Sequence, residues 1–361
     1  MITFNRFVKL FVLITLIILS LIAGFNYWID PAGIFNNKKV DVAVNYLVNG
    51  KAVSGLTNFD ERIFKKEFIL KSNNKAESIV LGSSRAMGII KDFDKSGNIF
   101  ANYSVSGANF NDDIALLYTY YEHNKTLPEK IIIAVEPFDL NKNRGDTRWQ
   151  SIEREYYAGL NLLGIEAKEF KEKSDWEYSI EKAKTLLSIS YLRNSVKSFI
   201  NKEDLPSAVI INDNHKKDII LPDGSVKYGQ IVENMTAKDI EKQARAYIAN
   251  GRIYQLDDFN QLNEFDKNKF IALIKFLNDN NVKVILWLPP YHPLVYDYIN
   301  KTEQYKNVLN AERFFINIAE KENLQVFGSY NPRKCGVDEN DFSDGMHLRT
   351  SGYNKIFKNK F

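Results

Sequence analysis

The chain has 361 residues, of which 45% are hydrophobic and 26% charged, so it can bury a large core and is not a disordered, collagen-like or coiled-coil protein. The 48 Lys and Arg residues are nearly balanced by 45 Asp and Glu residues, and the resulting net charge of +3 does not favour a nucleic-acid partner. The single cysteine excludes an intrachain disulfide and a thiolate metal cage.

An uncharged, mostly aliphatic run comes first in the chain. The 20 residues between Lys9 and Asp30 carry no charge, and about 20 helical residues cross a hydrocarbon core of about 30 Å. No Ala-x-Ala-like cleavage site is evident at the end of the run, and Tyr27 and Trp28 suit the membrane interface. The run predicts a transmembrane anchor over residues 1–30; the alternative is a buried helix that opens a soluble domain.

The charges that flank the run indicate its orientation. Arg6 and Lys9 precede it, whereas the first charge after it is Asp30. The positive-inside rule therefore places the amino end in the cytoplasm, and Lys38 and Lys39 weaken this bias only slightly. We expect a single-pass protein of the cytoplasmic membrane whose chain is extracytoplasmic from about Asp30 onward.

Short apolar runs alternate with helical patterns in the rest of the chain. Residues 31–76 are expected to form a membrane-proximal linker and a helix from Asn58 to about Lys71. The later runs predict an α/β domain over 77–361, with a doubly wound sheet of about five parallel strands flanked by helices. The predicted strands are Ser78–Leu81, Ile99–Ser104, Ile131–Val135, Val282–Leu288 and Gln325–Phe327, and the helices are Asp112–Asn124, Asp266–Asn280 and Thr302–Glu322.

A segment at about 138–260 interrupts this alternation. It contains charged helical stretches such as Asp175–Ser188 and a hairpin at Ile219–Tyr228 that turns on Asp223-Gly224. We interpret it as an insertion over the carboxyl edge of the sheet, where ligands bind in open α/β folds. The insertion either walls a ligand site or is a surface elaboration unrelated to the substrate.

Two motifs carry residues suited to nucleophilic catalysis. Gly82-Ser83-Ser84 follows the first strand, and Asp344-Gly345-Met346-His347 follows the last one. A serine needs an imidazole base, and the imidazole needs a carboxylate that fixes its tautomer. Because both motifs lie at predicted carboxyl ends of strands, we expect them to converge into a serine, histidine and aspartate triad.

These motifs resemble those of the SGNH or GDSL hydrolase superfamily, over roughly Glu77 to the end without the insertion. Gly82-Ser83-Ser84 matches the first block with Ser in place of Asp, which implies that Ser84 is the nucleophile. Asp344 and His347 match the terminal Asp-x-x-His and take the roles of orienter and base. Gly107 matches the second block, which implies that its N–H stabilises the oxyanion.

The third block of the superfamily is not matched. After the third strand the chain reads Glu136-Pro137-Phe138-Asp139, so the usual side-chain oxyanion donor is missing or moved. Asn109 and Arg85 are the replacement candidates; alternatively, they are a turn-forming Asn and an ion-paired Arg. His292, in Pro289–Pro293 beyond a predicted strand, either reaches the cleft or packs locally.

The anchor and the exit sequence Asp30–Phe35 add a narrower resemblance, to the membrane-anchored SGNH proteins of cell-envelope modification. These include the D-alanyl transfer protein of teichoic acid synthesis and the alginate-type O-acetyltransferases. The resemblance implies acyl transfer through an acyl-serine to hydroxyl groups of an envelope polysaccharide, with the acyl group supplied by a multi-spanning membrane O-acyltransferase. A carbohydrate esterase of the same fold and a non-catalytic glycan-binding or assembly factor are the alternatives.

No nucleotide-binding motif or metal-ligand spacing accompanies these residues. The four histidines show no His-x-x-x-His pattern, and Gly-x-Gly-x-x-Gly and Walker patterns are absent. We therefore expect an enzyme that works without a metal or cofactor.

Overall fold

The computed structural model describes residues 4–31, 33–166, 174–201, 205–249, 251 and 253–357. The chain divides into two compact units, one made of 1–43, 55–60 and 171–207 and the other of 44–54, 61–170 and 208–361. The strands are β1 (Ala52–Ser54), β2 (Ser78–Leu81), β3 (Phe100–Asn102), β4 (Lys130–Ala134), β5 (Ser207–Val209), β6 (Ile219–Ile220), β7 (Val226–Lys227), β8 (Lys283–Leu288) and β9 (Gln325–Gly328). The helices are α1 (Phe4–Ile29), α2 (Lys38–Val48), α3 (Glu61–Lys71), α4 (Phe110–Asn124), α5 (Glu153–Leu162), α6 (Asp175–Leu186), α7 (Ile189–Asn201), α8 (Gln230–Glu233), α9 (Ala237–Ile248), α10 (Glu264–Asp279), α11 (Pro293–Lys301), α12 (Lys306–Lys321), α13 (Pro332–Cys335) and α14 (Thr350–Phe357).

A five-stranded parallel sheet forms the centre of the larger unit, as the sequence predicts. Its strand order is β3-β2-β4-β8-β9, and Ile79 in β2 pairs with Ala101 on one side and Ile131 on the other. Every residue of β2 and β4 is buried, as expected of a parallel sheet that helices cover on both faces. The strand order reverses between β2 and β4, and ligands of doubly wound sheets bind at the carboxyl edge beside such a switch point.

Several helices differ from the sequence predictions. α3 starts at Glu61 rather than Asn58, because Asn58 has φ +50° and lies outside the helical region. α12 starts at Lys306, after a 3-10 turn over Glu303–Tyr305. α11 was not predicted, since its opening Pro290–Pro293 stretch reads as a loop, although proline fits the first turn of a helix.

The predicted hairpin in the inserted segment is confirmed. β6 and β7 pair antiparallel, with Ile219 opposite Lys227. The N–H of Leu221 donates to Ser225 O and the N–H of Gly224 donates to Leu221 O, each at 2.8 Å, and these bonds close the turn at Asp223-Gly224. β6 also pairs antiparallel with β1, which the sequence did not reveal because β1 has only three residues. The hairpin therefore belongs to a small second sheet.

In the smaller unit, α1 has the length and composition that membrane crossing requires. It has 26 residues, and its most apolar window has a mean hydropathy of 2.6 with none of that window buried. A soluble core helix of this length would bury at least one face. The exposed surface of α1 is consistent with a helix that is surrounded by lipid.

Candidate active site

The serine turn begins at the carboxyl end of β2. Gly82 has φ +129°, and a Cβ on it would lie only 2.5 Å from the Cβ of Ala134 at the end of β4. Glycine therefore allows a sharp turn where two neighbouring strands end. Ser83 caps the following 3-10 turn, and Ser84 is the first residue of that turn.

Ser84, His347 and Asp344 form one hydrogen-bonded chain. Ser84 Oγ lies 2.9 Å from His347 Nε2, and His347 Nδ1 lies 2.8 Å from Asp344 Oδ2. Because an ionised carboxylate only accepts hydrogen bonds, Nδ1 carries the ring proton and Nε2 is left to accept from the Ser84 hydroxyl. This arrangement can activate a serine as a nucleophile.

Asp344 is held in its ionised form. Its Oδ1 accepts hydrogen bonds from the backbone N–H groups of Met346 and His347, each at 2.8 Å. Burial acts to raise the pKa of this carboxyl, but the His347 ring and the two N–H groups together lower the pKa below its ordinary value. The side chains of His347 and Asp344 remain 30% and 33% exposed, so solvent or a substrate can reach the pair.

Ser83 faces away from the imidazole and into the protein. It is buried, its Oγ donates to Glu136 Oε1 at 2.6 Å, and the same Oγ accepts from the Arg85 N–H at 3.1 Å. With both roles of its hydroxyl used, Ser83 holds the turn together. The placement leaves Ser84 as the serine that contacts the imidazole.

Arg85 is an internal anchor of the site. Its guanidinium is buried, donates to Glu136 Oε2 at 2.6 Å and to Met346 O at 2.9 Å, and also donates to the carbonyls of Pro289 and Pro290. The expected role as oxyanion donor does not fit, because these internal acceptors hold the guanidinium inside the protein. Instead, Arg85 ties the serine turn to the loop that carries His347.

His292 is likewise placed inside the protein rather than in the cleft. It is buried, and its Nδ1 accepts from the N–H of Leu294 as the N-cap of α11. The His292 ring packs edge-on against Phe342 with 5.4 Å between centroids. The backbone N–H of His292 donates to Gly345 O at 3.1 Å. Of the two interpretations that the sequence left open, local packing is the one the structure supports.

Gly107 lies on a loop that runs beside the serine turn. The N–H of Val105 donates to Gly82 O at 3.0 Å, so the chain continues the β2–β3 pairing beyond the end of β3. Gly107 has φ +56°, and a Cβ there would lie 2.1 Å from Arg148 Nη2. Among the described residues, the backbone N–H groups of Ser84 and Gly107 donate to no backbone carbonyl, so both can act as hydrogen-bond donors to an oxyanion.

Asn109 has a structural task that also fixes its orientation. As the N-cap of α4, its Oδ1 accepts from the N–H groups of Asn111 and Asp112 at 2.8 and 3.4 Å. Its Nδ2 group, the donor end of the amide, makes no hydrogen bond within the described chain. The role of Asn109 as an oxyanion donor therefore stays a prediction.

Glu136 lies at the position where the sequence does not match the expected third block. It follows β4, is buried, and binds both Ser83 and Arg85 through its two carboxylate oxygens. The sequence marked this position only as a mismatch. The structure shows that a carboxylate there organises the serine turn.

Residues of the inserted segment that the sequence did not single out contact the loop that carries Gly107. Arg144 Nη2 and Arg148 Nη2 donate to Gly107 O at 2.6 and 3.2 Å. Asp146 binds both arginines, and Tyr254 OH accepts from Arg148 at 2.9 Å. These stretches of the insertion therefore contact the predicted oxyanion loop and are not a remote elaboration.

Three carboxyl groups that interact with Arg144 have pKa shifts of opposite direction. Burial and the neighbouring Asp139 raise the pKa of Asp113 well above its ordinary value, and burial also raises that of Asp139 despite its 2.9 Å ion pair with Arg144. Burial also acts to raise the pKa of Asp146, but its hydrogen bonds with Arg148 outweigh this effect and lower the pKa below its ordinary value. Protonating one of the buried carboxyls relieves the repulsion between Asp113 and Asp139.

No protein-family profile matches this chain, and a comparison with curated proteins found no match.

Proposed function

We propose that this protein is a membrane-anchored, extracytoplasmic serine acyltransferase of SGNH type that acylates hydroxyl groups of a cell-envelope polysaccharide. The hydrogen-bonded chain from Ser84 through His347 to Asp344, at the carboxyl edge of the sheet, carries the proposal. The lipid-length helix α1 supports the membrane location. The resemblance of the motifs supports the choice of polysaccharide and acyl donor.

The first half-reaction forms an acyl-enzyme. Ser84 Oγ attacks the carbonyl carbon of the acyl donor while its proton moves to His347 Nε2, and Asp344 stabilises the imidazolium. The N–H groups of Ser84 and Gly107 donate to the developing oxyanion. His347 then gives its proton to the departing group, and the acyl group remains esterified to Ser84.

The second half-reaction repeats these roles with a new nucleophile. A sugar hydroxyl loses its proton to His347 Nε2 and attacks the acyl-serine, and the oxyanion collapses to release Ser84, which regains the proton. The acyl group thereby passes to the polysaccharide. We propose that a multi-spanning membrane O-acyltransferase supplies the acyl donor on the outer side.

A carbohydrate esterase is the second candidate, favoured by the exposure of His347 and Asp344. With about a third of each side chain accessible, water can take the place of the sugar hydroxyl in the second half-reaction. The same acyl-serine serves both reactions. A scaffold without catalytic activity is the third possibility, and it predicts no acyl-serine.

Covalent labelling of the full chain in lipid nanodiscs tests the proposal. A fluorophosphonate probe should modify wild-type protein at Ser84, and Ser84→Ala should abolish the adduct. Ser83→Ala is the matched control: it should still be labelled at Ser84, with lower stability because it removes the hydrogen bond to buried Glu136. An adduct on Ser83, or undiminished labelling of Ser84→Ala, would overturn the assignment.

Mass spectrometry of envelope polysaccharides separates the two enzymatic candidates. Cells that carry Ser84→Ala in place of the wild-type protein should lose an ester modification of the polysaccharide if the protein is a transferase. They should gain one if the protein is an esterase. An unchanged polysaccharide, together with absent labelling, would leave only the scaffold.

A further inference from the structure

α6 and α7 pack against the end of α1 that is predicted to leave the membrane. Asn26 Nδ2 donates to Leu186 O at 2.7 Å, which ties the end of α6 to the last turn of α1. Tyr191 in α7 donates its hydroxyl to Asp30 Oδ1 at 2.6 Å. Both contacts are buried or partly buried, so specific hydrogen bonds fix α6 to the last turn of α1 and α7 to the residue that directly follows α1.

Aromatic contacts show which part of α1 is contacted by α7. The ring of Phe199 lies 5.9 Å from that of Phe25 and 6.0 Å from that of Trp28. Trp28 and Tyr27 remain mostly exposed at the end of the apolar run, where aromatic side chains mark the boundary between acyl chains and headgroups. α7 therefore contacts α1 at the level of the outer membrane interface.

α7 has three distinct faces. At about 100° per residue, its buried residues form one arc and its polar residues Arg193, Asn194 and Lys197 form another. The remaining arc, about 100° wide, is apolar and exposed, which is the width typical of a helix face that must be covered. The exposed residues of this apolar arc are Ile189, Val196, Phe199 and Ile200.

α6 continues the exposed apolar surface. Trp176, Ile180 and Leu187 recur at spacings of four and seven residues, which places them on one side of the helix and its C-cap. All three are exposed, and Trp176 is 72% exposed. Two consecutive helices beside α1 thus present apolar stripes that the described protein does not cover.

We propose that α6 and α7 form an in-plane membrane element that lies in the outer interface of the bilayer spanned by α1. Its apolar stripes insert at the boundary between headgroups and acyl chains, as amphipathic helices of this kind do. Lipid is the occupant that the structure favours, because the stripes adjoin an exposed helix of membrane length. Arg193 and Lys197, on the polar arc, are placed to reach lipid phosphates.

The inference rests on α1 spanning the membrane and does not depend on acyl transfer. It adds a second membrane contact, built from residues far along the chain from the anchor. The inserted segment thereby gains a role besides its contacts with the Gly107 loop.

Depth-dependent fluorescence quenching tests the proposal in full-length protein reconstituted in nanodiscs. In a Cys335→Ser background, single cysteines at Ile200 on the apolar arc and Asn194 on the polar arc are labelled with an environment-sensitive fluorophore. Spin-labelled lipid, with the label near the headgroup end of the acyl chain, should quench the Ile200→Cys probe at least about twofold more than the Asn194→Cys probe. Iodide in the aqueous phase should quench the Asn194→Cys probe more strongly than the Ile200→Cys probe.

Two outcomes would overturn the proposal. Strong iodide quenching with no lipid quenching at Ile200→Cys would place the arc in water. Shielding from both quenchers would show that a protein, either a second copy or another partner, covers it. Ile189→Cys repeats the measurement on the same arc if Ile200→Cys is poorly folded, and neither readout requires enzymatic turnover.

Discussion

At the scale of single residues, Asp344 is the group whose task can be separated most cleanly from folding. Its Oδ2 fixes the tautomer of His347, while its Oδ1 caps the local turn through two N–H groups. Asparagine retains a carbonyl oxygen for the turn but can present an N–H to His347. The Asp344→Asn protein should therefore fold and lose about 10⁴ in kcat, measured with an activated ester.

Asp338→Asn is the matched control for this loss. Asp338 also caps a turn in the same C-terminal region, through the N–H of Asn340, and its carboxylate pairs with Lys355 at 3.0 Å in an exposed position. Asparagine preserves that cap and removes only an exposed ion pair, so kcat should stay within about twofold of wild type. Near-normal turnover of Asp344→Asn would remove Asp344 from the mechanism.

The lowered pKa of Asp344 also predicts how stability depends on pH. Despite the opposing effect of burial, the His347 ring and two N–H groups hold the folded-state pKa below the unfolded value of about 3.9. Such a group stabilises the fold above the unfolded pKa, and this contribution disappears as pH falls through the folded pKa. The difference in unfolding free energy between wild type and Asp344→Asn should therefore shrink as pH falls below about 5.

Urea denaturation of both proteins over a series of pH values measures this difference. Asp113 and Asp139, whose raised pKa values favour the protonated forms, contribute equally to both proteins and cancel. A difference that grows on acidification would contradict the assigned direction of the Asp344 shift.

At the scale of elements, the site depends on how three strand ends are tied together. Glu136 after β4 binds Ser83 and Arg85 after β2, and Arg85 binds the loop of His347. Glu136→Gln leaves the buried guanidinium of Arg85 without its counterion, so it should cost about 3–5 kcal/mol of unfolding free energy. Labelling of Ser84 should fall as well, because the serine turn loses its support.

The control is an ion pair at the surface. Asp297 binds Arg333 with both oxygens, at 2.8 and 2.9 Å, but about half of each side chain is exposed. Asp297→Asn should cost at most about 1 kcal/mol despite equally good geometry. Equal losses in the two variants, measured by chemical denaturation, would show that the Glu136 pair does not organise the site.

The elements that the sequence predicted are those with a strong local pattern. β4 and β8 are continuous β-branched and apolar runs, so their type and position follow from composition within one residue. β1 has three residues and is defined by its partner β6, which lies far along the chain. The sequence around β1 carries no strand pattern, because its strand conformation depends on tertiary contact with β6.

The residues of the candidate site likewise divide into those with a local sequence signal and those without one. Ser84 could be predicted because its motif directly follows β2, at the edge where parallel strands end. The Asp-x-x-His motif was recognisable from its spacing, although α13 and a 3-10 turn over Glu339–Asp341 separate it from the end of β9. Arg148 opens a short 3-10 turn and Tyr254 lies in a loop, and the charged and aromatic residues around them have no period. Glu136 stands in the sequence where the expected third block is not matched. That mismatch was the one available signal that its side chain has a role other than the one expected at this position.

At the scale of the whole molecule, the proposed acyl transfer requires the triad to lie on the side of the membrane that faces an envelope polysaccharide. Only α1, among the described helices, has the length and hydropathy to span a bilayer. Arg6 and Lys9 precede its apolar core, whereas Asp30 follows. Positive charge resists translocation, so the triad should be extracytoplasmic.

A reporter at the carboxyl end tests this topology. Green fluorescent protein folds to its fluorescent form in the cytoplasm but not after Sec export, so a fusion after Phe361 should give no fluorescence, whereas alkaline phosphatase at the same position should be active. The same fluorescent fusion to a variant that lacks residues 4–29 should fluoresce, which shows that the junction itself is tolerated. Full fluorescence of the intact chain would place the triad in the cytoplasm and exclude an envelope polysaccharide as its substrate, whatever the chemistry of Ser84.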